Sequence, residues 1–184
     1  MIDEERMVQL ERKIQGLQDR QDILDCIVRE ARGRDRQDVE LTLSAYWDDA
    51  LDEHGDRISP AKGYPAQANA SHAKFFAATN HNLANHTCEI DGDLAHCETY
   101  VIGALLLRDM KSNLQLIGRY LDRLERRNGE WRIVARRTIV DSALQGDGSY
   151  MLSRAVIGFP KGLWGKDDPS YQRPLNLEAA VLRW

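Results

Sequence analysis

Two dipeptides, Asp91-Gly92 and Asn128-Gly129, each stand between long runs in which apolar and polar residues alternate. Such dipeptides accept the positive φ that tight hairpin turns require, and an alternating run beside one is a half-buried strand. Strands are therefore expected near residues 81–90, 94–107, 114–126 and 130–141, paired as two hairpins of one antiparallel sheet. The rest of the chain has to cover the apolar face of that sheet.

Upstream the period lengthens. Between residues 5 and 30 the only glycine or proline is Gly16, and Met7, Leu10, Ile14, Leu17, Leu24 and Val28 follow the three-four spacing of one helical stripe. A break is placed between Gly16 and Asp19. The stripe would suit a partner helix, but packing on the chain's own sheet is favoured because the heptads are few and polar Gln21 interrupts them. Gly33 and the charged run Arg34-Asp35-Arg36-Gln37-Asp38 read as the turn that ends this helix. A second helix then starts at an aspartate cap and carries Val39, Leu41, Leu43, Tyr46 and Trp47. Asp48 to Gly55 is a polar turn or short strand, and residues 66–79 read as a third helix with Phe75 and Phe76. After Asp141 the alternation fades, yet Met151, Val156, Phe159 and Trp164 are awkward in free water. The division expected is an α+β domain over 1–142 and an extension over 143–184 that covers a pocket mouth or a subunit interface.

The 184 residues carry a net charge of -4, with 42% hydrophobic and 29% charged residues. That balance fits one globular domain and offers no general attraction for nucleic acid or anionic lipid, so neither nucleic acid nor membrane is expected as a partner. The acidic start lacks the flanks of a secretory signal, and no apolar run approaches the roughly 18 residues of a membrane span. Cys26, Cys88 and Cys97 are odd in number and lack a C-x-x-C spacing, which argues against disulfides or a zinc ribbon and makes the cytoplasm the expected location. The histidines show no metal-ligand spacing, and the Asp48–Gly55 stretch lacks the calcium-loop pattern, so no metal is expected. Nucleophile elbow, P-loop and dinucleotide fingerprint are all missing from the sequence, and no cofactor is expected.

Taking Asp91-Gly92 as the turn pairs Cys88 with Ala95, His86 with Cys97, Asn85 with Glu98 and Leu83 with Tyr100. His81, Leu83, Asn85, Glu98, Tyr100 and Ile102 then share one face; His86, Cys88, Ala95, Cys97 and Val101 share the other, where the Cys97–His86 couple reads as packing on an outer or interfacial surface. Around Asn128-Gly129 the helix-facing group is Trp131, Ile133, Ala135, Arg137 and Ile139 with Leu124, Asp122, Tyr120 and Gly118. Arg137 would be indoors and needs a partner, for which Asp122 is in reach.

Helices followed by antiparallel strands, together with Arg32-Gly33-Arg34-Asp35-Arg36-Gln37-Asp38, Tyr46-Trp47-Asp48-Asp49-Ala50, Thr79-Asn80-His81-Asn82-Leu83-Ala84-Asn85, Asp91-Gly92-Asp93 and residues 118–133, resemble the SnoaL-like proteins of the nuclear transport factor 2-like superfamily. The resemblance covers roughly residues 10–142. It implies an α+β, cystatin-like fold, a cone-like curved antiparallel sheet wrapped around N-terminal helices, with a pocket at the mouth. Relatives include scytalone dehydratase, bile acid dehydratase, ketosteroid isomerase, polyketide cyclases and hexachlorocyclohexane dehydrochlorinase, and also non-catalytic dioxygenase β subunits, so the fold alone leaves function open.

In the dehydratase branch an aspartate after the first helix pairs with a histidine at the start of the first hairpin, and the matching positions here are Asp35 and His81. A histidine oriented by a carboxylate moves protons near neutral pH without a metal. The resemblance implies His81 as base and Asp35 as its orienting group, with Tyr46, Trp47, Asn85, Tyr100, Tyr120 and Arg137 as candidate pocket residues. Glu30 stands where the dehydrochlorinase has a lysine, which points away from dehydrochlorination. The expectation is a cofactor-free lyase or isomerase acting on a small hydrophobic cyclic molecule, assembled as a homodimer or homotrimer. The alternative is a non-catalytic binding protein or a dioxygenase β-subunit-like partner, for which the apolar tail speaks.

Overall fold

The computed structural model describes residues 3–184. Helix α1 (Glu4–Arg36) and the short α2 (Val39–Leu43) lead into β1 (Tyr46–His54) and β2 (Arg57–Pro60), then α3 (Tyr64–Phe75), β3 (Phe76–Asp91), β4 (Leu94–Leu107), β5 (Ser112–Arg127) and β6 (Glu130–Asp147). The strands form one curved, open sheet in the order β2-β1-β6-β5-β4-β3. Every neighbouring pair is antiparallel except β1 with β6. The α+β class and the sheet wrapped on N-terminal helices are as the sequence predicts.

Helix α1 begins at Asp3, whose side chain accepts from the Glu5 N–H, and ends at Gln37 in the left-handed region with φ of 50°. It runs unbroken through Gly16 and through Gly33, so Asp35 lies in its last turn and not in the turn beyond it. Gly33 is tolerated there because α2 lies against it. A Cβ at Gly33 would come within 2.5 Å of the Thr42 hydroxyl and 2.6 Å of the Thr42 nitrogen. The second helix is shorter than the sequence suggests: Asp38 caps it, but it stops at Leu43, and Tyr46 and Trp47 start β1.

The core joins Ile23, Cys26 and Ile27 of α1 to Tyr46, Leu124, Trp131 and Ile133 of the sheet. The stripe from Met7 to Val28 was expected against this sheet, yet Met7, Leu10, Ile14, Leu17 and Val28 are exposed. The side of α1 that meets the sheet is the opposite one, where Glu30 lies with Ile23 and Ile27.

Both hairpins form, but register and bulges redistribute the faces. In the first, Asp91 pairs with Leu94, leaving Gly92-Asp93 as the turn. Of these only Gly92 has positive φ, as a type II′ turn requires, whereas Asn128 and Gly129 are both positive, as in type I′. Cys88 therefore faces Cys97, and His86 faces Thr99. Farther along, Ala84 and Asn85 together oppose Tyr100, a β-bulge that returns His81 and Leu83 to the same concave face as His86 and Cys88. Tyr100 and Asn85 are left outside.

A second bulge at Val134 separates the Leu124–Ile133 pair from the Arg123–Ala135 pair and shifts parity along β6. Arg136, not Arg137, consequently points indoors. Its guanidinium makes two bonds to Asp122, 2.7 and 2.8 Å, and one of 2.5 Å to Glu30 of α1. All three side chains are almost wholly buried. The Arg136 charge holds the Glu30 carboxyl below the usual range although burial alone would raise it. Tyr46 closes the cluster: its hydroxyl donates to Asp52 at 3.1 Å, with a Glu30 oxygen 3.4 Å away. Arg137 lies outside, paired with Glu53.

Removing one member of a buried ion cluster leaves the others uncompensated, so Arg136→Leu should lower unfolding free energy by about 3–5 kcal/mol. Gly33→Ala should cost on the order of 1–3 kcal/mol through the overlap with Thr42. Urea melts of both variants check this, with Arg137→Leu, expected within about 0.5 kcal/mol of wild type, as the surface control.

Candidate active site

The last turn of α1 and the first half of β3 bring Asp35 and His81 together. One carboxylate oxygen of Asp35 lies 2.6 Å from His81 Nδ1, and both oxygens accept from the His81 backbone N–H at 2.9 and 3.1 Å. A carboxylate can only accept, so Nδ1 carries the proton and the Nε2 lone pair is free. The backbone contact fixes the carboxylate against the strand, and the side-chain contact fixes the ring. Both side chains retain only about a tenth of their exposure.

His81 borders a cavity of about 80 Å3. Its apolar wall comes from Val101, Leu105, Leu116, Ile139 and Val140, and Gly103 and Gly118 keep the floor open. Gly118 cannot carry a side chain, because a Cβ there would fall 1.9 Å from the Ile139 carbonyl oxygen across the bulged strand. Polar groups enter from Arg34, His54, His72, Tyr120 and Thr138.

Arg34 is the cation of this cavity. It is buried one residue before Asp35, its guanidinium lies 4.7 Å from the centre of the Tyr64 ring, and its Nη1 has no hydrogen-bond partner among the described residues. The Thr138 hydroxyl is likewise buried without a partner. Buried donors without a partner are costly unless something polar meets them. Burial, and then the Arg34 charge, pushes the His72 imidazole down to about 4, so this ring is neutral at pH 7. Burial raises the Tyr120 phenol, which stays protonated.

Of the residues expected from the sequence, Asp35 and His81 meet, and Tyr120 lines the same cavity. Tyr46 lies deeper, in the Glu30–Arg136–Asp122 cluster, and does not line it. Trp47 donates its indole N–H to the Glu125 carbonyl, with Arg127 and Arg132 over its ring. Asn85 and Tyr100 were put in the pocket by unbroken alternation and are outside it because of the β3 bulge; Arg137 is outside because of the β6 bulge. Arg34, His54 and His72 line the cavity without being among the residues the sequence points to. The adjacency of Arg34 to Asp35 was a usable signal, since a helix turn that buries one buries the other in part. The two histidines arrive from β1 and α3, and nothing in the local sequence links them.

The Cys97–His86 couple is placed differently from expectation. Cys97 and His86 lie on the concave face, and with Cys88 they offer three ligand-type atoms within 4.8 Å of one another. Burial pushes the Cys97 thiol far up, and Cys97 sits in the core with Cys88 packed against it. The segment after β6 is fastened to the corner of α1 and α2: Asp38 accepts from Tyr171 at 2.6 Å and pairs with Lys166, Asp168 pairs with Arg36, and Ser170 accepts from Arg32. None of its residues lines the His81 cavity. No helix among the described residues is long and apolar enough to cross a membrane.

Comparison with known proteins gives a match to the family model described as SnoaL-like domain over residues 15–137. No curated protein matches the sequence. Among solved structures, hexachlorocyclohexane dehydrochlorinase LinA-type3 from Novosphingobium barchaimii superposes with a TM-score of 0.67 at 18% identity, covering 73% of this chain and 94% of that one. A scytalone dehydratase-like protein from Novosphingobium aromaticivorans gives 0.64 at 14% identity, covering 70% and 88%. The Kfla4162 protein of Kribbella flavida gives 0.64 at 21%, covering 70% and 95%. At these identities the likeness is one of fold.

A free imidazole near pH 6.5 and a buried one near 4 bind different numbers of protons between those values, and the unfolded chain binds more. His72 should therefore draw stability down as pH falls from about 6.5 to about 4. Two-dimensional NMR of the imidazoles should show His72 titrating near pH 4 in the folded protein, and Arg34→Met should move that midpoint upward.

Proposed function

The chain belongs to the SnoaL-like domain family, and from that premise we propose that it is a cofactor-free acid–base lyase or isomerase of the dehydratase type, with His81 as the base. The observation that carries the proposal is the His81 Nδ1–Asp35 contact beside a cavity with an unpaired arginine N–H. Asp35 holds the ring in one tautomer and stabilises the imidazolium once Nε2 takes a proton. A substrate C–H next to a carbonyl is the group this base suits. As the C–H bond breaks, negative charge builds on the carbonyl oxygen, and Arg34 Nη1 with the Thr138 hydroxyl are donors already in place for it.

For dehydration the enolate then expels hydroxide from the next carbon. The Tyr120 hydroxyl gives its proton to the leaving oxygen, water departs, and the imidazolium returns its proton to the tyrosinate. The balance is loss of one water with no change in the enzyme. For isomerisation the same imidazolium would return its proton to a different carbon.

The apolar wall supports a hydrophobic, cyclic substrate. The cavity of about 80 Å3 suits the reacting edge of a ring, with the remainder over the mouth. Dehydratase-type structural neighbours support the same class. The partner-subunit reading drew on the tail, whose polar anchors are spent on this chain's own α1–α2 corner, and the enzymatic reading is preferred.

Screening cyclic β-hydroxy ketones by the ultraviolet absorbance of the enone product tests the proposal. On any substrate so found, His81→Ala and Asp35→Asn should each lower kcat by at least about 100-fold while the thermal transition stays near that of wild type. Full turnover by His81→Ala would mean that the base lies elsewhere, and full turnover by Asp35→Asn that the base needs no orienting carboxylate.

A further inference from the structure

The helix that supplies Asp35 also carries a surface that the fold does not use. From Asp3 to Gln18 every residue except Gly16 is exposed, so the first four turns of α1 stand clear of the sheet. A projecting helix of this length is marginal in water on its own, and one with an apolar stripe is more so. Ile14 and Leu17 are 62% and 70% exposed. The stripe continues along the face of α1 opposite the core through Gln21, Leu24 and Val28, and it ends where Arg32 binds Ser170 of the tail.

We infer that this face pairs with the same face of a second copy of the chain in a parallel, two-stranded coiled coil. The spacing fills three heptads. Met7, Ile14, Gln21 and Val28 fall at the first core position, and Leu10, Leu17 and Leu24 at the second. β-Branched residues at the first with leucine at the second is the pattern of parallel dimers, and one polar residue at a first position fixes register. Gln21, which as a lone-chain feature interrupts the stripe, is in its place here as that residue.

The flanking charges specify both partner and direction. On one side of the seam stand Arg6, Lys13 and Arg20, and on the other Glu4, Glu11, Gln18 and Asp25. In a parallel pair the basic side of each helix meets the acidic side of its twin, setting Arg6 against Glu11, Lys13 against Gln18 and Arg20 against Asp25. An antiparallel pair would bring basic to basic and acidic to acidic. Ile23, Cys26 and Glu30 face the sheet on the side away from the seam, and Ile27 meets the sheet from the flank that carries Arg6, Lys13 and Arg20, so the two domains would sit beside the helix pair.

Sedimentation velocity on the purified full chain should show a dimer. Ile14→Asp with Leu17→Asp should weaken self-association at least tenfold while leaving the thermal transition of the domain in place, since neither side chain touches the sheet. Leu10→Cys should form a disulfide-linked dimer in an oxidised glutathione buffer, because a parallel, in-register pair places the two residues opposite each other. A monomer at all concentrations, an assembly indifferent to the double substitution, or no cross-link through residue 10 would each overturn the inference.

Discussion

The buried bridge from Arg136 to Asp122 and Glu30 is the contact on which the arrangement of this protein turns. It is a strongly directional interaction between α1 and the concave face of the sheet in an interface otherwise dominated by Ile23, Cys26 and Ile27. Apolar contacts tolerate rotation of a helix about its axis; a guanidinium shared by two carboxylates does not. Glu30 lies five residues before Asp35, so fixing its azimuth fixes the direction in which Asp35 leaves the helix. The cluster lies outside the cavity and still decides where the His81 ring is held.

Around that anchor the charges are graded. Glu30, Asp122 and Arg136 balance one another in the core, and Arg34 brings a second buried cation to the edge of the cavity, where it stacks on Tyr64. Its field helps keep His72 neutral. A cavity containing one cation, one oriented imidazole and neutral donors favours negative charge on a ligand oxygen. That physical preference is more specific than the fold, which its relatives share across several reactions.

Much of this was legible in the residues. Turn dipeptides gave the two hairpins, and the order of helices and strands gave the class. The Asp35–His81 pairing came through resemblance, while Tyr120 and the partner role of Asp122 came from strand alternation alone. What failed was parity. Alternation counts residues in twos, and a bulge inserts one, so everything beyond it changes face. Arg136 was exchanged for Arg137 by the bulge at Val134, and Tyr100 and Asn85 were misplaced by the one at Ala84-Asn85. The expected end of α1 failed for a different reason: Gly33 looked like a helix breaker and is a contact glycine, admitted by the close approach of Thr42. His54 and His72 were out of reach because only the sheet's curvature brings β1 and α3 toward β3.

The parallel pairing of β1 with β6 has a consequence for how the chain acquires this order. Glu30 and Arg136 are 106 residues apart, and Asp35 and His81 are 46 apart. Closing the longer loop costs more chain entropy, and strand β6 must be present before β1, which pairs with β2 on its other edge, can join the rest of the sheet. Helix α1 can therefore meet β3 while a ribosome is still extending the chain, but its rotation is locked only when the last strand emerges. The Asp35–His81 geometry is thus a late event in biogenesis, set once β6 has been synthesised.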